Sequence, residues 1–324
     1  MSKHPITENL LNGTIAKEPV GDEQGYWAGA PGWYWDKQDQ VSYICYRIRR
    51  PRGIEPDRGG ESRIAKTSDF KTFEDVWSVH KDIYESASIE KSILRRGNDG
   101  VFRYLTSYVA PEDGRWCVTI NKSDNIGSLD AGKTQRLFTA TDLGLEGIKD
   151  PWILEENGKY YLFLSVAINT ASTKDSSHDT LDIFNTGECI SATALATSDD
   201  LDNWNYQGII LKPEGDSAWD KYCRRINSVL PLNGKYYAFY DGSEGHHQNY
   251  EERTGLAVST DLKNWEILSP DEPCITSPYA TGSLRYIDAQ HHENEIRFMY
   301  ELTRANGSHE MRTTSFSAEG FSLE

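Results

Sequence analysis

The chain has 324 residues, with 34 Lys plus Arg against 50 Asp plus Glu and a net charge of −16. That length accommodates one large domain with a sizeable core, while the acidic balance and the lack of a basic stripe exclude an electrostatic footprint for nucleic acid or anionic lipid. Only 37% of the residues are hydrophobic, but 18 Tyr, 10 Phe and 9 Trp argue against disorder. No run approaches the length of a membrane span. The opening MSKHPITENLLNG shows no apolar h-region behind a basic n-region, so a cytoplasmic location is expected. Cys45, Cys117, Cys189, Cys223 and Cys274 are scattered and lack zinc spacing. They read as free, mostly buried thiols, and neither metal nor cofactor is expected.

Taken in chain order, one pattern recurs. A strand-like run is followed by a turn and an aromatic, alternating strand: WAGAPGWYW then DQVSYICYR, SIEKSILRR then DGVFRYLTSY, IKDPWILEE then NGKYYLFLS, RRINSVLPL then NGKYYAFYDG, and GSLRYIDAQ then ENEIRFMYE. The second runs start at Asp39, Asp99, Asn157, Asn233 and Glu293, which are 60, 58, 76 and 60 residues apart. Turns of the Asn-Gly and Asp-Gly kind between paired runs are the signal of antiparallel hairpins. Third and fourth strands follow in phrases such as RIAKTSDFKTFEDV, ALATSDDLDNWNYQGIIL and GLAVSTDLKNWEIL, with weaker copies in WCVTINKSDNIGSL and the C-terminal MRTTSFSAEGFSLE.

Four strands per unit in five units predict an all-β fold, a five-bladed β-propeller with four antiparallel strands per blade. It spans 1–324 as a single domain, with blades at approximately 26–80, 86–140, 146–212, 222–270 and 280–320. A β-sandwich shares the short strands and turn spacing and is the alternative. The long third-to-fourth spacing maps to a polar loop, Asn169 to Glu188, read as a flexible lid over one face. RRPRGIEPDRGGESR reads as a long exposed loop over the funnel mouth.

In a propeller the first strand of each blade lines the central channel, and its beginning shares a face with the end of the second strand. That geometry selects Ala30, Glu90, Asp150, Arg225 and Arg285 from the first strands. From the second strands it selects Arg47 with Arg49, Ser165, Asp241 with Glu244, and Glu301. Charges facing an enclosed axis must pair with each other or with a polar ligand. Trp27 and Trp33 are candidate stacking platforms for a ligand ring, although for each the packing role is the commoner one. Trp152, Trp204 and Trp265 read as blade packing. In the loop Asp241 to Gly255, Glu252 and Arg253 reach towards the rim, while the adjacent His246 and His247 point apart and make a poor metal pair. His309 is a candidate polar contact.

KDPWILEENGKYYLFLS, with Asp-Pro opening a strand, and the Ser/Thr-Asp-turn-Trp phrase of AVSTDLKNWEIL resemble the blade motifs of the five-bladed glycoside hydrolases. These are families 43, 32, 68, 62 and 117 and the related family 130 phosphorylases. The resemblance covers residues 25 to 318 and implies carboxylates from different blades acting at an axial funnel on a short oligosaccharide. Asp150 carries over most directly, and Glu90 by blade position. In the first blade, where families 43 and 32 place a base or nucleophile Asp before Pro, this chain has Ala30-Pro31.

Glycoside cleavage needs one carboxyl held protonated and one carboxylate that activates water or attacks directly. Glu90, Asp150 and Asp241 are the candidates, with Glu90 and Asp150 the first choice and Glu244, Glu252 and Glu301 in reserve. Arg47, Arg225, Arg253 and Arg285, with Trp27, Trp33, Glu244 and Glu301, are the candidate substrate-binding residues. The arginines either neutralise the carboxylates or fork onto a substrate carboxylate, sulfate or phosphate. The expected activity is inverting hydrolysis. A phosphate-dependent phosphorylase and a non-catalytic glycan-binding propeller are the alternatives, and a homo-oligomer is compatible with each.

Overall fold

The computed structural model describes residues 4–215 and 218–323. It is all-β, with helices of only a few residues. β1 is Thr14–Lys17. Then come β2 Trp27–Asp36, β3 Val41–Arg50, β4 Arg58–Thr67 and β5 Glu74–His80, which pair antiparallel in that order. The same order holds for β6 Ile89–Arg96, β7 Phe102–Val109, β8 Trp116–Ser123 and β9 Gln135–Phe138. It holds again for β10 Gly147–Glu156, β11 Lys159–Asn169, β12 Cys189–Ser198 and β13 Asn205–Leu211. The fourth set is β14 Cys223–Leu232, β15 Lys235–Ser243, β16 Arg253–Ser259 and β17 Glu266–Ile267. The last is β18 Leu284–His292, β19 Glu295–Thr303 and β20 His309–Ser317.

The strand that completes this last set comes from the opposite end of the chain. β1 pairs antiparallel with β20, Thr14 facing Thr313, where the repeat pattern places a fourth strand after Met311. A two-stranded register to the N-terminal segment leaves no repeat signature in the sequence. The first strands of the sets also touch in succession, β2 against β6, β6 against β10, β10 against β14, β14 against β18, and β18 back against β2.

Local sequence explains the pieces. Asn157-Gly158 and Asn233-Gly234 both adopt positive φ, at 53° and 75° and at 51° and 76°, the mirror-image turn whose twist matches a hairpin. The Ser/Thr-Asp phrase closes a turn in the same way three times. The hydroxyls of Thr67, Ser198 and Ser259 accept from the backbone N–H groups of Phe70, Leu201 and Leu262. Asp69, Asp200 and Asp261 accept the N–H groups that follow. Phe70, Leu201 and Leu262 are thereby turned inward and buried. Apolar side chains of adjacent sets interdigitate; Ile93, Leu105 and Val118 meet Ile148, Leu162 and Ala194 in one such layer. Each buried Leu, Ile or Val there contributes roughly 1.5–3 kcal/mol.

Two loop expectations are revised. Strand β3 runs to Arg50 and β4 begins at Arg58, itself 3% exposed, so only residues 51–57 of the RRPRGIEPDRGGESR run are loop. The segment between β11 and β12 is not a bare polar loop. It forms short 3-10 turns at Asp175–Thr180 and Ile183–Asn185 and buries Ile183 and Phe184 completely.

Candidate active site

Every first strand carries a β-bulge near its start, with register shifts at Gly29/Gly32, Ile89/Ser92, Lys149/Trp152, Ile226/Ser228 and Arg285/Asp288. A bulge re-aims the side chain it carries. At three of them the bulged residue has left-handed backbone: Ala30 at φ 52°, Asp150 at 54° and Tyr286 at 52°. Such strain costs about 1–3 kcal/mol for a non-glycine residue and concentrates at functional positions. Ala30, Asp150 and Tyr286 therefore occupy equivalent places, and only one of them carries a carboxylate.

Around this centre the buried charges form one alternating chain. Asp150 lies 3.4 Å from Lys149 Nζ, which lies 3.8 Å from Glu90. Glu90 accepts from Arg47 Nε, and Arg47 Nη2 reaches Glu301 at 3.5 Å. Arg285 donates to Glu301 from Nε at 2.9 Å and Nη2 at 2.7 Å, and from Nη1 to Glu252. Glu252 in turn accepts from Arg225 Nη2. The chain thus visits every set of strands and stops. Its two ends, Asp150 and Arg225, lie on the adjoining first strands β10 and β14.

At the break several buried polar atoms lack partners. Both carboxylate oxygens of Asp150, Oδ2 of Asp241, Nη1 of Arg225 and the hydroxyl of Ser165 are buried without a hydrogen bond. Each such group costs about 1–3 kcal/mol unless a ligand or water satisfies it. Asp241 stands opposite Arg225 in the β14–β15 register, and its Oδ1 accepts from Tyr286 N–H at 3.1 Å.

Burial would raise every carboxyl here, and the neighbours decide the outcome. Arg47 and Lys149 overcome it at Glu90, which is held at about 2, and Arg225 and Arg285 do the same for Glu252, also at about 2. Glu301 is likewise lowered against its burial by Arg285 and Arg47. Asp241 goes the other way. Burial, reinforced by the Glu252 charge, pushes it up to about 7.

The remaining candidates are placed as follows. Trp27 is buried, with His309 stacked on it at 4.7 Å and the Arg49 and Arg285 guanidinium carbons 4.8 and 4.9 Å from its ring centre. Its surface is already in use, which leaves no free platform. Trp33 lies in the packing layer with Ile44, Ala65 and Phe70, away from the charge chain. His309 bridges Glu301 at 2.7 Å and Glu251 at 2.9 Å. Glu244 lies outside the cluster, exposed and 3.5 Å from Lys221; Arg253 is half-buried and donates to the Thr281 carbonyl at 3.1 Å. Sequence reasoning missed Lys149, Tyr286, Asp182, Phe184 and Tyr250. Lys149 and Tyr286 were open to discovery, since each adjoins a residue that the strand-start rule selects. The other three sit in loops with no repeat to align them.

No family model matches the chain, and no curated protein matches it. Solved structures do. A thermostable family 43 glycoside hydrolase superposes with a TM-score of 0.64 at 13% identity, covering 93% of this chain and 92% of that one. The GH43_1 enzyme of Xanthomonas citri complexed with xylotriose gives 0.61 at 11%, covering 95% and 93%. A structure from the GH130 family of mannoside phosphorylases, which contains glycoside hydrolases that target β-1,2 mannosidic linkages in Candida mannan, gives 0.61 at 13%, covering 99% and 94%. These neighbours belong to the five-bladed propeller superfamily of glycoside hydrolases, and the likeness at this identity is one of fold.

Proposed function

We propose that the chain is a five-bladed β-propeller glycoside hydrolase that cleaves a short oligosaccharide at the break in its charge chain. The successive contacts of the first strands, returning from β18 to β2, support the propeller. The observation that carries the activity is the Asp150 carboxylate, 2% exposed with neither oxygen hydrogen-bonded, on β10 next to β14, whose Arg225 faces Asp241. Asp241, raised by its burial and by the Glu252 charge, suits the acid role, which leaves the base to Asp150.

In this reading Asp241 gives its proton to the glycosidic oxygen as the bond to the anomeric carbon breaks. Asp150 takes a proton from the water that attacks that carbon, which inverts the anomer. Glu90, first choice from the sequence together with Asp150, is tied to two cations and acts by fixing Arg47 and Lys149. Ala30 takes the place where families 43 and 32 carry their acidic residue, so the chemistry rests on the break and not on β2.

The test is product release by purified protein from a panel of aryl glycosides and short oligosaccharides, pyranose and furanose, with and without inorganic phosphate. Phosphate-independent release supports the hydrolase. One observation favours a phosphorolytic second reading: Arg47 Nη1 and Arg225 Nη1 are buried donors without partners. Release that requires phosphate selects it, and saturable glycan binding without product removes both.

A pH dependence follows from Asp241. As an acid pushed up to about 7 it is increasingly ionised above that pH, so kcat/KM is expected to fall tenfold per pH unit on the alkaline side. The sign for stability agrees. The folded state binds a proton that the unfolded carboxyl releases near pH 4, so the stabilisation from Asp241 is full below pH 4 and lost as pH rises to about 7. A rate profile flat from pH 6 to 9 removes Asp241 from the acid role.

A further inference from the structure

The break between Asp150 and Arg225 is roofed. Phe184, fully buried, places its ring centre 5.0 Å from Lys149 Nζ and 5.9 Å from the Arg225 guanidinium carbon. It belongs to the segment between β11 and β12, where the Tyr222 hydroxyl donates to the Phe184 carbonyl at 2.7 Å and Arg58 Nη2 to the Leu181 carbonyl at 2.8 Å, and most of the remaining links converge on one side chain. Asp182, 3% exposed, accepts from the Tyr250 hydroxyl, from Arg52 Nη2 at 3.2 Å, from Asn185 Nδ2 at 2.8 Å and from Trp116 Nε1 at 3.4 Å, with Arg58 at 3.5 Å. Loops of the first, third and fourth sets of strands therefore meet at a single carboxylate.

The kind of bonding matters here. The sets of strands are held by backbone ladders, whereas the roof is joined to its neighbours largely by side chains. A second such link runs from Asn249 Nδ2 to Asn185 Oδ1 at 2.8 Å. Tyr250 sits at φ 123°, an outlying conformation for a bulky residue and a mark of stored strain at a clamp. Side-chain links of this kind break locally without melting a sheet.

We propose that residues 181–187 form a lid, latched by Asp182 onto Tyr250, Arg52 and Arg58, that opens to admit a sugar to the break and closes with Phe184 against it. Phe184 then supplies the aromatic face that Trp27 and Trp33 do not. The role of Phe184 rests on the break being the substrate site; the opening itself does not.

A natural probe lies beneath. Cys189 is 1% exposed, and its Sγ lies 3.4 Å from the Ile183 carbonyl oxygen. Cys45 is equally buried, but in the layer with Ile64 and Leu94, away from the lid. Alkylation of the intact native protein by iodoacetamide, mapped by peptide mass spectrometry, reads both. In the unmutated chain Cys189 is expected to react at least tenfold faster than Cys45. Tyr250→Phe, which removes one hydrogen bond to a charged acceptor, is expected to speed Cys189 a further roughly tenfold and leave Cys45 unchanged. Equal rates at the two thiols in the unmutated chain overturn the lid, as does a Tyr250→Phe chain in which Cys189 is no faster or both thiols accelerate together. If the variant does not fold, the unmutated comparison decides alone. No substrate is involved, so a lid can be established in a protein that fails every hydrolysis assay, and the reverse.

Discussion

Asp150→Asn is expected to lower kcat about 10²–10⁴-fold, the range general acid–base groups contribute, while the thermal midpoint stays level or rises. The amide keeps the shape of the side chain and removes a carboxylate that has no hydrogen bond to lose. Lys149, 3.4 Å from it, retains Glu90 as a partner, while Lys91 and Arg225 feel its charge from further away. Glu90→Gln should behave differently, because Arg47 and Lys149 each lose one of two carboxylate partners at once, so its activity loss comes with a loss of stability. Steady-state rates and calorimetry on the two variants separate them. Full activity in Asp150→Asn, on a substrate the unmutated protein turns over, ends the assignment of the base.

The largest stability effect is expected at the middle of the charge chain. Arg285→Met leaves Glu301 and Glu252 without their shared partner in a place water does not reach. Removing one member of a buried ion pair costs about 3–5 kcal/mol, a fall on the order of 10 °C in Tm for a chain of this size. Replacing Glu301 by Gln in the same chain should recover part of that loss, because one of the stranded charges disappears with it. A Tm within about 2 °C of the unmutated protein would mean that the glutamates are already compensated by His309, Arg47 and Arg225. The chain of charges would then not be a single unit.

The strand order was legible because it is repeated. Asn-Gly turns, alternating aromatic strands and the Ser/Thr-Asp turn each impose local geometry through their own backbone and side-chain bonds, and each recurs at intervals that reveal the unit. Equivalent strand-end positions followed from the same repetition, which is why Glu90, Asp150, Arg225, Arg285, Arg47 and Glu301 were named together, and the structure brings them into one cluster. What could not be read was how those charges pair. Asp150 and Glu90 look alike as acidic residues at strand starts, yet Glu90 is neutralised by two cations and Asp150 is left open. That difference depends on which guanidinium reaches which oxygen across separations that run from 16 residues, for Arg285 and Glu301, to 254, for Arg47 and Glu301.

The same limit applies to β1 and to the roof. Thr14–Lys17 carries no signal of its destination, because a single outer strand is specified by the edge it meets on β20. Asp182, Phe184 and Tyr250 lie in segments without a repeat, and their meeting is decided by where three loops emerge on one face. By itself the sequence determined the strands, the turns and the residues that line the centre, since local backbone preferences and side-chain periodicity act over a few residues. The tertiary structure alone decided the break in the charge chain, the upward shift of Asp241 and the placing of Phe184 over the break, since desolvation and Coulomb forces depend on distances set only when the sets of strands come together.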